Sequence, residues 1–118
     1  KNLNKIIKIV HVEIRKKMNI FLKKNKNKKI VILDIPLLLE NKINKKKDLL
    51  VFVQSKKIDI KRRLISRPYY NPVLLKKFKN LQLSLDYKKK KSHFIIKNNF
   101  TKTSIKKGIK EILVKLDS

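Results

Sequence analysis

Asp34 and Glu40 bracket the end of a markedly apolar run. From Ile30 to Leu39 the chain is apolar except at Asp34 and Pro36, and Glu40 closes it. A carboxylate at the end of a buried strand is costly unless a cation or hydrogen-bond donors meet it. In phosphate-transfer proteins that cation is usually a magnesium ion with its waters. The alternative is that Asp34 simply caps the turn after the strand, which Pro36 terminates. Arg63 and Arg67 form a second constellation. An i, i+4 spacing on a helix puts both guanidiniums on one face, as a clamp on an anion requires, although two ordinary surface charges would look the same. There is no Cys, which excludes a disulfide framework, a thiolate nucleophile and a Cys-based zinc site, and fits a cytoplasmic protein.

The elements that would carry these residues are legible from periodicity. Leu3, Ile6, Ile7, Val10, Ile14, Met18, Phe21 and Leu22 recur at helical spacing, which predicts one long amphipathic helix or two joined near Lys8 to Val12. The polar "KKNKNKK" then reads as a loop. Ile30 to Ile35 and Leu49 to Val53 are too continuously apolar for half-exposed strands, so they read as strands buried on both faces. Ile58 to Ser66 reads as a helix broken by "RPYYNP", and Val73 to Leu85 as another. His93 to Ile96 is a short strand. Thr101 to Leu116 is a final amphipathic helix with Ile105, Ile109, Ile112, Leu113 and Leu116 on one face, capped by Thr101, Thr103 or Ser104. Strands alternating with helices predict an α/β fold with a parallel sheet. In such sheets ligands bind beyond the carboxyl ends of the strands, where Asp34 falls.

The formal net charge is +26 in 118 residues. Such charge suits an anionic partner. Yet the excess is nearly all Lys, Asn and Ile are abundant, and Ala is absent, a pattern that AT-rich codons produce without selection for a basic surface. A small nucleic-acid-binding, ribosome-associated protein is the competing reading. Against it, aromatic residues are not interleaved with the basic ones and no helix-turn-helix or RNA-recognition signature is present. No apolar run approaches the roughly 18 residues of a membrane helix.

The segment "VILDIPLLLEN" resembles the Asp-Ile/Val-Pro-Leu-Leu-Phe/Leu-Glu segment of dephospho-coenzyme A kinases. The likeness continues in order along the chain. "LNKII" with "HVEIR" resembles a Leu-Asn-x-Ile-x-His-Pro-x-Val-Arg segment, with "KIV" at 8–10 as an insertion and Val12 in place of the proline. "IKRRLISR" resembles a Gln-x-x-Arg-Leu-x-x-Arg helix, with Pro68 where an Asp commonly follows. "LQLSLDYKKKKSHFIIKN" resembles the last-strand segment, with His93 and Lys97 replacing frequent aspartates.

The resemblance implies a partial P-loop kinase: a three-layer α/β/α fold with a parallel sheet, strands 3 to 5 present, and helical substrate and lid segments. It implies one domain portion in which 1–27 bind substrate, 28–56 hold core strands, 57–92 form the lid and 93–118 the last strand and helix. The implied reaction moves the γ-phosphoryl of ATP, with Mg2+, onto the ribose 3′-hydroxyl of dephospho-coenzyme A. The partners are then dephospho-coenzyme A and ATP, with no specific nucleic acid and no membrane. Asp34 takes the place near magnesium and acceptor. His11, Arg15, Pro36, Leu37, Leu38 and Glu40 take the acceptor side. Arg63 and Arg67 belong to the lid, and Asn98, with Arg67, to the nucleotide side. A Gly-x-x-x-x-Gly-Lys-Ser/Thr phosphate loop cannot be spelled here, because Gly108 is the only glycine. The expectation is therefore a C-terminal portion that is poorly folded and inactive alone.

Overall fold

The computed structural model describes residues 2–117; Lys1, Ser118 and the side chains of Asn2 and Leu3 lie outside that description. Lys1–Lys45 and Lys46–Ser118 form two compact units.

In the first unit, α1 (Asn2–Lys24) is a single helix of 23 residues with no break at Lys8 to Val12. Its covered stripe is Ile7, His11, Ile14, Met18 and Leu22, at spacings of three and four. Ile6, Val10 and Phe21, expected on that stripe, are exposed. A stripe this narrow excludes residues one step around the helix. Asn25 ends α1: its amide N donates to the Phe21 and Leu22 carbonyls, and its Nδ2 donates to Phe21 O at 2.8 Å. Lys23 and Lys24 in the last turn complement the negative end of the helix dipole.

Ile30 to Ile35 is irregular and pairs with no strand among the described residues, contrary to the doubly buried strand expected. Its exposure alternates. Val31, Leu33 and Ile35 are half-buried, whereas Ile32 is 81% exposed. Without a neighbour to complete the ladder, apolar content alone does not make a strand. The chain then turns at Pro36. Leu37 and Lys42 both adopt left-handed backbone, with φ of 53° and 52°. Ile43 N donates to Leu38 O and Lys42 N to Leu39 O, with Lys42 left-handed between them. That is the Schellman pattern of a helix C-terminus, here closing a single turn. It delivers Ile43 into the interior, where it is only 3% exposed.

In the second unit, β1 (Val51–Gln54) and β2 (Phe94–Lys97) form a two-stranded parallel sheet, with Val51 opposite Phe94 and Gln54 opposite Lys97. The ladder continues past both ends. His93 N donates to Leu50 O, Leu50 N donates to His93 Nδ1 at 2.9 Å, and Asn98 N donates to Gln54 O. Thus His93 is more than a plain strand residue: its ring satisfies a backbone donor that the sheet edge would leave open. Burial on both faces of the second strand is also corrected. Val51 and Val53 are exposed, because only one face of the sheet is covered.

That cover is α5 (Lys102–Asp117), which packs on β2. Its contact stripe is Ser104, Ile105, Gly108 and Ile112, while Ile109, Leu113 and Leu116 point outward, contrary to expectation. Gly108 decides the facing. A Cβ there would lie 2.8 Å from Ile96 Cγ2. The helix comes closest to the strand where it has no side chain, and buries Ile96. Thr101 caps α5: Ser104 N donates to Thr101 Oγ1, and Ser104 Oγ donates back to Thr101 O.

Three shorter helices lie between the strands. α2 (Lys57–Ile65) stops before Pro68. α3 (Pro72–Leu81) has Asn71 as N-cap, accepting from Val73 N and Leu74 N, and Pro72 in its first turn. The helix expected to run to Leu85 ends four residues earlier; extended Gln82 breaks it and Ser84 caps a separate α4 (Leu85–Lys91). The lysines Lys88 to Lys91 are the last turn of α4. No helix among the described residues is long and apolar enough to cross a membrane.

Candidate active site

Two clusters gather the sequence-predicted residues, one in each unit. In the first, α1 presents His11 and Arg15 one turn apart. Arg15 Nη2 donates to the Asn41 carbonyl at 2.9 Å. That carbonyl lies within the Leu38–Ile43 turn, so the guanidinium ties α1 to the segment carrying Pro36, Leu37, Leu38 and Glu40. It also satisfies an acceptor that the end of a helical turn leaves open. His11 lies on the covered stripe of α1. Its Nε2 and the Asn41 Nδ2 are buried with no hydrogen-bond partner within the protein. Buried polar atoms of this kind usually have a water or ligand to meet. Asp34 is exposed, two residues before the turn begins.

In the second unit, Arg63 sits near the C-terminus of α2, its guanidinium carbon 3.8 Å from the centroid of the Phe100 ring. Arg67 is not on the same helix face. α2 ends at Ile65, and Ser66 and Arg67 donate their amides to the carbonyls of Arg62 and Leu64. The physical reason is Pro68, whose ring disfavours helical backbone in the residue before it. Arg67 instead lines an open groove of about 130 Å³ with Leu64, Pro68, Tyr69, Tyr70 and Phe78. Tyr69 is fully exposed, with left-handed backbone at φ 63°. Asn98 follows β2. Its Oδ1 accepts from Phe100 N at 2.8 Å, which folds the loop back on itself.

Phe100 is the residue that the sequence reading missed. The available signal was an aromatic side chain in the otherwise polar turn "NNFT". Among the described residues no three His, Cys, Asp or Glu side chains converge to hold a metal ion. One carboxylate is nonetheless a sufficient protein share for magnesium, which keeps waters and takes its other oxygens from a nucleotide. Asp34, an exposed carboxylate just before the turn at Pro36, fits that role. Nothing among these residues fits the phosphate cradle itself, since the single glycine is packed against Ile96 in the middle of α5.

Residues 1–104 match the family described as dephospho-CoA kinase. The chain is similar to the dephospho-CoA kinase of Wolbachia pipientis wMel, 32% identical over 111 residues, 92% of this chain and 56% of that protein. It is similar also to that of Rickettsia typhi, 31% identical over 101 residues, 86% of this chain and 53% of the relative. The chain therefore spans about half the length of the curated relatives it matches. The match runs through both clusters, from α1 to the cap of α5, and the chain belongs to the dephospho-CoA kinase family.

Proposed function

We propose that these 118 residues are the C-terminal, acceptor-binding and lid portion of a cytoplasmic dephospho-coenzyme A kinase, one P-loop kinase domain when complete. The reaction is transfer of the γ-phosphoryl of ATP to the ribose 3′-hydroxyl of dephospho-coenzyme A. The observation that carries the reading is the Arg15 to Asn41 hydrogen bond. It draws His11, Arg15 and the Pro36–Glu40 segment into one region, and these are the residues that the family resemblance puts on the acceptor side.

Phosphoryl transfer of this kind asks the protein for positioning and charge neutralisation rather than covalent chemistry. His11 and Arg15 present donors toward the acceptor. Leu37 and Leu38 offer apolar surface beside the turn. Asp34 is the ligand that would hold Mg2+, which when bound offsets charge on the nucleotide phosphates. Arg63 and Arg67 offer guanidiniums to phosphate oxygens, and Asn98 stands on the nucleotide side. The phosphate cradle has to come from residues other than these.

The test compares the product of the complete reading frame with the 118-residue chain. ATP-dependent appearance of coenzyme A is expected from the complete product and not from the 118 residues alone. Asp34→Asn in the complete product should lower turnover by at least about 100-fold, as loss of a transition-state electrostatic partner does. Phosphorylation by the 118 residues alone would overturn the division of labour. Failure of a complete product bearing a phosphate loop would overturn the reaction. The basic-module reading predicts instead sequence-selective RNA binding that survives salt, whereas charge alone gives binding that collapses as salt rises.

A further inference from the structure

Arg63 has an unusual partner. Its guanidinium lies over the Phe100 ring, and among the described residues that ring is the group it engages. At 3.8 Å the contact is well inside the roughly 6 Å within which a cation is attracted by a ring face. Phe100 pays for this in backbone geometry: it is a bulky residue at φ 64°, a region that side chains with a Cβ rarely adopt. Local bonds hold it there. Asn98 Oδ1 accepts from Phe100 N, Asn98 N extends the β ladder to Gln54 O, and Thr101 N donates to Asn99 Oδ1. The loop is thus anchored to β1 on one side and to the cap of α5 on the other. The ring is a half-buried, fixed shelf beyond the carboxyl end of β2, where parallel sheets bind their ligands.

A guanidinium held over a ring face is bound through its charge and leaves N–H donors for oxygen acceptors. The guanidinium fork matches two oxygens of a phosphate. Stacking also removes rotamer freedom before any ligand arrives, so less is lost on binding.

We infer that Phe100 is a positioning residue that holds the Arg63 guanidinium as a preorganised receptor for a phosphate group of the nucleotide. The inference deepens the lid reading of Arg63 proposed above and rests on it. Phe100 itself touches no substrate; it acts through Arg63.

The experiment uses the complete gene product and inorganic pyrophosphate as probe. Arginine side-chain NMR resonances are recorded, with the Arg63 signals identified by their loss in Arg63→Lys. Pyrophosphate is titrated at ~0.3 M salt, where the surrounding exposed lysines are screened. Wild type and Phe100→Tyr should show ring-current-shifted Arg63 resonances. Phe100→Leu should lose that shift and bind pyrophosphate about three- to fivefold more weakly, the size of a partly exposed cation–π contact. Phe100→Tyr should keep wild-type affinity. An unshifted Arg63 in wild type overturns the stack. A lost shift with unchanged pyrophosphate affinity in Phe100→Leu overturns the positioning role. If Phe100→Leu loses the amide signals of the β1–β2 ladder, Arg63→Ala decides: wild-type pyrophosphate affinity there also overturns the role. A product that keeps the shift and the affinity but leaves dephospho-coenzyme A unphosphorylated removes the kinase reading and leaves the receptor standing.

Discussion

Val31–Asp34 and Val51–Gln54 are close to the same peptide in physical terms, each three large apolar residues followed by a polar one. Val51–Gln54 is half of a parallel ladder, whereas Val31–Asp34 has no partner strand among the described residues. The difference does not lie in their own residues. Val51–Gln54 has Phe94–Lys97 beside it, two flanking backbone bonds that lengthen the ladder, and a helix behind its partner. Ile30–Ile35 has a helix with a narrow covered stripe and a turn. A β-strand is a property of a pair, because its backbone donors and acceptors must be met from outside the segment. The chain's apolar surface tells the same story: among the described residues Met18, Ile43 and Ile96 are the buried large apolar ones, while Ile32, Val53 and many others face outward.

The sharpest way to break this comparison is to delete side chains from both regions. Ile43→Ala should cost about 3 kcal/mol in a denaturant melt, as a buried aliphatic truncation does. Ile32→Ala should cost under about 0.5 kcal/mol in the 118-residue chain, because nothing covers it. In a complete gene product that supplies a partner strand, the Ile32→Ala cost should climb toward that of Ile43→Ala. Equal costs in the 118 residues alone would mean that the run is already a covered strand.

Gly108→Val comes next. It forces carbon atoms into the space held by Ile96 and should destabilise the second unit by about 2 kcal/mol. Adding Ile96→Ala should recover about half of that loss, since the two sites share one volume. An unaffected melt would show that the helix–strand contact is looser than 2.8 Å to a Cβ implies. Arg15→Ala has a smaller effect, about 1 kcal/mol, confined to the first unit. Hydrogen exchange at the Lys42 and Ile43 amides should accelerate while the β1–β2 amides stay protected. Smaller than Arg15→Ala is Asn71→Ala, which removes the cap of α3 for about 0.7 kcal/mol and should fray its first turn, read from carbon chemical shifts.

Periodicity alone located α1, α2, α5 and both strands to within a few residues, because helix and strand repeats are local. Thr101 was among the caps it named, and Pro68 stood in plain view as the reason that Arg67 leaves the helix. The order of short motifs was enough to reach the kinase family. Other features depended on contacts between distant residues. No periodicity announces that a lone glycine will turn α5 toward Ile96, or that a histidine ring will complete the ladder at Leu50. Neither does it announce that a phenylalanine with left-handed backbone will carry an arginine from another helix. The amino-acid order by itself determined which segments are helical or extended, since that choice is made within a few residues. Which apolar face is covered, which extended run becomes a strand and what Arg63 rests on were decided by the tertiary structure, because each requires a partner far away in the chain.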